Sequence, residues 1–293
     1  MTREEYEAMV SRLEEVARRD PAKYRMRVGL LAALGYGYII AVVGLLVAAG
    51  VGLIVVSWRT GRVVTTAIKF IWLTPLALAW FVLKALWVRI PPPEGLEIKR
   101  ADAPELFAAV DEITASLAAP KITRVLIDTS YNAGVVQHPR LGPLGWFRNY
   151  IILGLPLMQA LSPAHFRAVL GHELGHLSGN HGRFSGWIYR VRETWLMLLQ
   201  RFHVEQRWGA FIFNWFFDWY APYFYAYSFV LARTHEYEAD AAAARMAGPG
   251  VMAEALIAFR TMGAHLSEGY WPAVFKEADT APRPVRGAFA RLS

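Results

Sequence analysis

G-H-E-L-G-H-L-S-G-N-H, Gly171–His181, holds three of the chain's eight histidines in eleven residues. Ser162-Pro163 upstream is a helix start, with serine as N-cap and proline at the first helical position. Phe166, Val169, Leu170, Leu174 and Leu177 then recur at helical spacing. The spacing predicts a helix to about Ser178, ended by Gly179 and Asn180. On such a helix His172 and His176, four apart, share a face and can point two imidazoles at one ion. Glu173 leans toward the same side, able to reach a water on that ion but off the ligand face. Two histidines with this glutamate form the H-E-x-x-H arrangement of a zinc site with its general base. The plain alternative, a polar, partly exposed helix, fits less well, because the flanking positions are small or apolar.

A third protein ligand has two sources in the sequence. In H-E-x-x-H-x-x-G-x-x-H the last histidine serves. Gly179 falls at the right spacing, but His181 comes one residue early, and the offset misaims it. The other source is R-T-H-E-Y-E-A-D-A-A-A-A-R (233–245), an Ala-rich stretch without Gly or Pro that reads as a second helix. Glu236 and Asp240 are four apart on one face. Glu236 can serve as a ligand, and Asp240 can accept a hydrogen bond from a ligand imidazole and fix its tautomer. His235 and Glu238 point elsewhere. The chain has no cysteine. Thiolate ligands, disulfides and a cysteine nucleophile are excluded, so any zinc must be held by His and carboxylates.

Hydrophobic residues make up 55% of the 293 and charged residues 19%, a membrane-class composition. Val28–Val56 runs 29 residues without a charge, enough for the roughly 20 that cross a hydrocarbon core. Val63–Val88 is a second candidate, with Lys69 and Lys84 near enough to its ends to snorkel. The first run is too long for a secretory signal. Arg12, Arg18, Arg19, Lys23, Arg25 and Arg27 precede it, only Arg59 and Arg62 lie between the two runs, and Arg89, Lys99 and Arg100 follow. The bias puts the connection outside and both termini in the cytoplasm. It also accounts for the net +7 charge better than nucleic acid does, since no basic stripe or nucleic-acid module is present. Residues 2–19 read as a polar helix with Thr2 and Glu5 in capping-box spacing.

P-P-P at 91–93 ends the membrane region. Residues 104–118 have an amphipathic helical pattern, and 123–128, 132–136 and 150–154 read as short strands. Between the two candidate zinc helices, 208–229 contains thirteen aromatic residues in 22. Asn214, Asp218 and Pro222 argue against a clean span, as do Arg190, Arg192 and Glu193 before it. A hairpin lying on the bilayer surface or roofing the cleft is expected, in preference to two further spans. The expected divisions are a cytoplasmic helix (1–27), a two-helix transmembrane hairpin (28–90) and a metallopeptidase domain (91–293) carrying the aromatic insert (183–232).

H-E-L-G-H followed at this distance by E-Y-E-A-D resembles the HtpX-like and CAAX-prenyl-endopeptidase-like family of zinc metallopeptidases. A-P-E-L (103–106), N-A-G (132–134), I-I-L-G-L-P-L (151–157) and L-S-P-A-H-F-R-A-V-L-G-H-E-L-G-H (161–176) extend the likeness over roughly 98–260. The resemblance implies an α+β, mainly α, chain, in which the membrane hairpin precedes a zincin-like domain with a small sheet and an active-site helix pair. It implies one Zn2+ per chain on His172, His176 and Glu236, with Glu173 as base and Asp240 behind a ligand. It further implies a strand beginning at Asn132-Ala133 that pairs with an extended polypeptide substrate. Family members carry a transition-state histidine near the end of the domain. Ala281 stands there in D-T-A-P-R-P-V-R (279–286), leaving Arg286, then Arg283, to supply positive charge, with His265 as a spare. The expected protein is a bacterial inner-membrane endopeptidase facing the cytoplasm, acting in membrane-protein quality control or processing, with polypeptide and lipid bilayer as its partners. An inactive, membrane-protein-binding scaffold is the alternative.

Overall fold

The structure is a computed structural model that describes residues 2–59, 66–86, 92–139, 147–178, 184, 186–189, 191–192, 194–196, 210–280, 287–289 and 291. It is mostly helical with one small mixed sheet. The chain forms two compact units, Met1–Arg89 with Ser185–Arg233, and Ile90–Phe184 with Thr234–Ser293.

In the first unit, α1 (Arg3–Arg19) begins with the expected capping box. Thr2 Oγ1 accepts from the Glu5 amide at 3.2 Å, and Glu5 Oε2 accepts from the Thr2 amide at 2.8 Å. α2 (Pro21–Arg59) contains the whole charge-free run and, among the described residues, is the one helix long and apolar enough to cross a membrane. α3 (Thr66–Leu86) meets it closely, because a Cβ on Gly50 would lie 2.6 Å from Leu76 Cγ. Ala210–Ala247 (α7) is one helix that runs through Pro222. An interior proline costs about 3 kcal/mol. Phe213, Phe216, Phe217, Tyr220 and Phe224 are all buried along this helix, and each contributes about 1.5–3 kcal/mol, so the helix survives.

In the second unit, β1 (Leu96–Ile98), β2 (Arg124–Asp128), β3 (Ala133–Pro139) and β4 (Phe147–Gly154) form a sheet in the order β1-β2-β4-β3. β1 and β2 are antiparallel, β2 and β4 parallel, β4 and β3 antiparallel. β3 therefore lies at an edge. β1, three residues long, is too short for periodicity to reveal. α4 (Pro104–Ser116) and α6 (Pro163–Gly175) cover the sheet, and Val110, Ile113, Val125, Ile151, Leu153, Leu170 and Leu174 form one core. α5 (Leu155–Ala160) links β4 to α6. Gly154 is obligatory there, since a Cβ would fall 1.7 Å from the Ser130 carbonyl oxygen. α8 (Pro249–His265), a π turn (Leu266–Tyr270) and α9 (Trp271–Thr280) complete the unit.

Candidate metal centre

α6 starts where the sequence puts it, with Ser162 Oγ accepting from the His165 amide at 3.2 Å. It ends at Gly175, about a turn short of Ser178, with His176 as its C-cap. The helix is enclosed on two sides. Leu170 and Leu174 face the sheet core. Ala168 joins Ala243, Met252 and Ala255 in a second cluster. On this second side Gly175 would place a Cβ 3.2 Å from Ala239 Cα, and Gly171 would place one 2.5 Å from Met246 Cε. Only glycine lets the carboxyl-terminal part of α7 come this near. The remaining side of α6 carries His172, Glu173 and His176.

That approach assembles the cluster. His172 Nε2 and His176 Nε2 lie 3.2 Å apart, and Glu236 Oε2 lies 3.5 Å from the first and 3.6 Å from the second. Four ligands at zinc bond lengths in a tetrahedron stand about 3.4 Å from one another. The three edges of this triangle match that spacing, so the residues present fit a zinc ion; these three side chains could hold a metal. Burial and then the neighbouring His172 hold His176 below its ordinary pKa, which keeps it neutral, as a ligand must be. His172 Nδ1 lies 2.8 Å from Asp240 Oδ1. Nδ1 is buried with no hydrogen bond of its own, and the Asp240 carboxylate is the acceptor within reach of it; a proton held there would leave the Nε2 lone pair facing the other two donors. Glu236 is exposed, with 58% of its side chain accessible, so solvent or a fourth ligand can approach from that side.

Glu173 is not in the triangle. Burial, reinforced by the charge of Glu236, pushes its carboxyl up to about 8, against an opposing hydrogen bond from the Val135 amide. Val135 belongs to edge strand β3. The Asn132 carbonyl accepts from the Gly154 amide at 2.8 Å, so the alternation of an antiparallel strand turns the main chains of Ala133, Val135 and Gln137 away from β4. Val135 is one of these, and its amide meets the glutamate. Ala133 and Gln137 offer the remaining outward groups, while the Asn132 carbonyl is committed within the sheet.

Of the residues singled out in the sequence, His172, Glu173, His176, Glu236 and Asp240 come together. Ala133 lies on the strand that touches Glu173. Arg286, Arg283, Ala281 and His181 fall outside the described residues. His265 ends α8 and is exposed. Two contributors escaped sequence reasoning. One is Val135, which carries no side-chain signal. The other is the pairing of Gly171 and Gly175 with Ala239, Ala242 and Ala243, legible as small residues at helical spacing in both segments.

The family model for peptidase family M48 matches residues 109–285, and no curated protein and no solved structure matches the chain. The matched segment is more than half of the 293 residues and contains the whole histidine and carboxylate cluster. The chain belongs to peptidase family M48, a family of zinc metallopeptidases.

Proposed function

We propose that the protein is a membrane-anchored zinc endopeptidase whose zinc is held by His172, His176 and Glu236. The observation that carries this reading is the triangle of 3.2, 3.5 and 3.6 Å between the three donor atoms, with a half-buried glutamate next to one of them in the chain. Zinc bound there supplies Lewis acidity, polarising a carbonyl and making a water acidic near neutral pH.

The chain's own groups do the rest. A substrate strand pairs with the outward main chain of Ala133 and Gln137 along β3, which sets the scissile carbonyl beside the cluster. The Val135 amide holds the Glu173 carboxylate. Glu173 takes a proton from the attacking water and delivers it to the leaving amine nitrogen, so the C–N bond breaks with a neutral amine departing. Asp240 is the group placed to fix the His172 tautomer. Arg286 is the cation that the sequence offers to the developing oxyanion.

The anchor is the helical pair α2 and α3, with the Lys and Arg bias placing both termini in the cytoplasm. The domain division proposed is 1–27, 28–90 and 91–293, and membrane polypeptides under quality control or processing are the proposed substrates.

Reconstituted protein should bind one zinc and cleave casein, and a chelator should abolish cleavage until zinc is restored. Glu173→Gln should keep zinc and fold while losing at least about a hundredfold in kcat, the scale of a positioned general base. Cleavage by that variant at the unaltered rate would sink the reading.

A further inference from the structure

The first unit places the aromatic half of α7 along α2 in a fixed register. The Tyr24 hydroxyl donates to the Tyr227 carbonyl at 2.8 Å, and the two rings stack at 5.7 Å. The Tyr220 hydroxyl donates to the Leu31 carbonyl at 2.8 Å. Tyr38 stacks on Phe216 at 3.8 Å and meets Phe213 edge-on at 6.4 Å. Residue 24 is level with 227, 31 with 220 and 38 with 213. Every two turns forward on α2 are two turns back on α7, so the helices run antiparallel. Gly35 makes room for the contact, since a Cβ there would lie 2.7 Å from the Tyr220 hydroxyl.

The register transfers depth from one helix to the other. Phe213–Tyr223 lies level with residues 28–38, inside the charge-free run. On this stretch Trp215, Trp219 and Tyr223 remain 77%, 57% and 39% exposed. They follow one another at four-residue steps and make a single stripe facing away from the buried aromatic side. Asp218, the one charged residue of the stretch, is exposed and level with Ala33, about one and a half turns inside the run. The part of the run from Ala33 to Val56 still exceeds the roughly 20 residues of a hydrocarbon core. A carboxylate at that level therefore belongs to the headgroup layer, the layer that Trp and Tyr favour. Toward the water end, Arg192 lies over the Tyr225 ring at 5.4 Å, and Arg233 pairs with Glu14 at 2.7 Å. These cations suit an anionic lipid surface.

We propose that the stripe Trp215–Trp219–Tyr223 is a lipid contact, with the aromatic half of α7 embedded in the bilayer beside α2 instead of lying on its surface. The proposal rests on the reading that α2 crosses a bilayer.

The chain has no cysteine, so single cysteines report without background. Leu45→Cys, Trp215→Cys, Trp219→Cys and Lys276→Cys, each in the full chain, would carry a nitroxide in vesicles of phosphatidylcholine and phosphatidylglycerol. Relaxation by oxygen, which partitions into lipid, is compared with relaxation by a water-soluble nickel chelate. The expected result is an oxygen-to-nickel ratio at 45 and 215 several-fold above that at 276, with 219 between. Water-like ratios at 215 and 219 alongside a lipid-like ratio at 45 overturn the proposal and leave the anchor standing. A water-like ratio at 45 overturns both. Protection of 215 and 219 from both quenchers means that protein covers the stripe, and it overturns the proposal too. Should a variant fail to fold, the unaltered chain can be labelled by a lipid-borne photoactivated carbene. Adducts on peptides containing Trp215 and Trp219 support the proposal, and their absence while α2 is labelled refutes it.

Discussion

At the scale of single residues, the site divides its carboxylates by surroundings. Asp240 touches His172 Nδ1 at 2.8 Å and belongs to no donor triangle. A carboxylate so placed is proposed to orient a ligand imidazole, and removing such a partner weakens metal binding by about 10- to 100-fold. Asp240→Ala should show that loss in a competition titration against a zinc chelator, with the fold retained. Unchanged zinc affinity would return Asp240 to a surface role. Glu173 behaves differently. In the metal-free protein its folded pKa, about 8, lies above the ordinary value of 4.5. The unfolded state then loses its proton first, so stability falls as pH rises between these values. His176, held low, gives the opposite slope only below its ordinary 6.5. Between about pH 6.5 and 8 the metal-free protein should therefore lose thermal stability as pH rises, and Glu173→Gln should flatten that slope. Equal slopes in the two proteins would mean that the carboxyl is not buried as described.

At the scale of elements, the assembly of the site depends on how near α6 and α7 come. The two glycines of α6 differ in what they face. Gly175 faces the Ala239 backbone, which cannot yield, whereas Gly171 faces the flexible end of Met246. Gly175→Val should lower stability by about 1–3 kcal/mol through forced separation and weaken zinc binding with it, because Glu236 is carried on the helix pushed away. In Gly171→Ala the better helix propensity, about 1 kcal/mol, offsets the displacement of Met246, and thermal unfolding should change little. Equal effects of the two substitutions would show that the helices are not locked at Ala239. The same elements show how far sequence reasoning reached. α6, its serine cap and its metal-facing histidines were legible, because helical periodicity, cap chemistry and a four-residue spacing are all local. The strand edge meeting Glu173 was not, because a main-chain amide has no residue signature. The long α7 runs through Pro222, where breaker chemistry taken alone disfavours a helix. The aromatic packing that overrides it involves α2, some two hundred residues earlier in the chain, and no local pattern reports such a partner.

At the scale of the whole molecule, the distribution of the site between the two units makes a prediction of its own. All five site residues, His172, Glu173, His176, Glu236 and Asp240, fall within Ile90–Phe184 and Thr234–Ser293. Among the described residues the first unit contributes no member of the metal-holding group, and its own stability comes from apolar and aromatic burial along α2, with Val28, Ala32 and Ile39 almost wholly covered. A ligand that binds the folded state stabilises it by mass action, about 2.7 kcal/mol at a hundredfold excess over Kd. That gain appears in those opening motions that dismantle the site. Zinc should therefore slow amide exchange most strongly in Pro163–Gly175 with its C-cap His176 and in residues 234–247, the two segments proposed to hold the ligands, and in β3 beside Glu173. Amides of Val28–Ile39 should exchange at the same rate with and without the metal. Hydrogen exchange of the reconstituted protein, read by mass spectrometry of peptides from both regions, measures this contrast. Slowing of equal size in α2 would show that the units open together and that the metal stabilises the entire chain. No slowing in either ligand helix would remove the proposed centre from the fold.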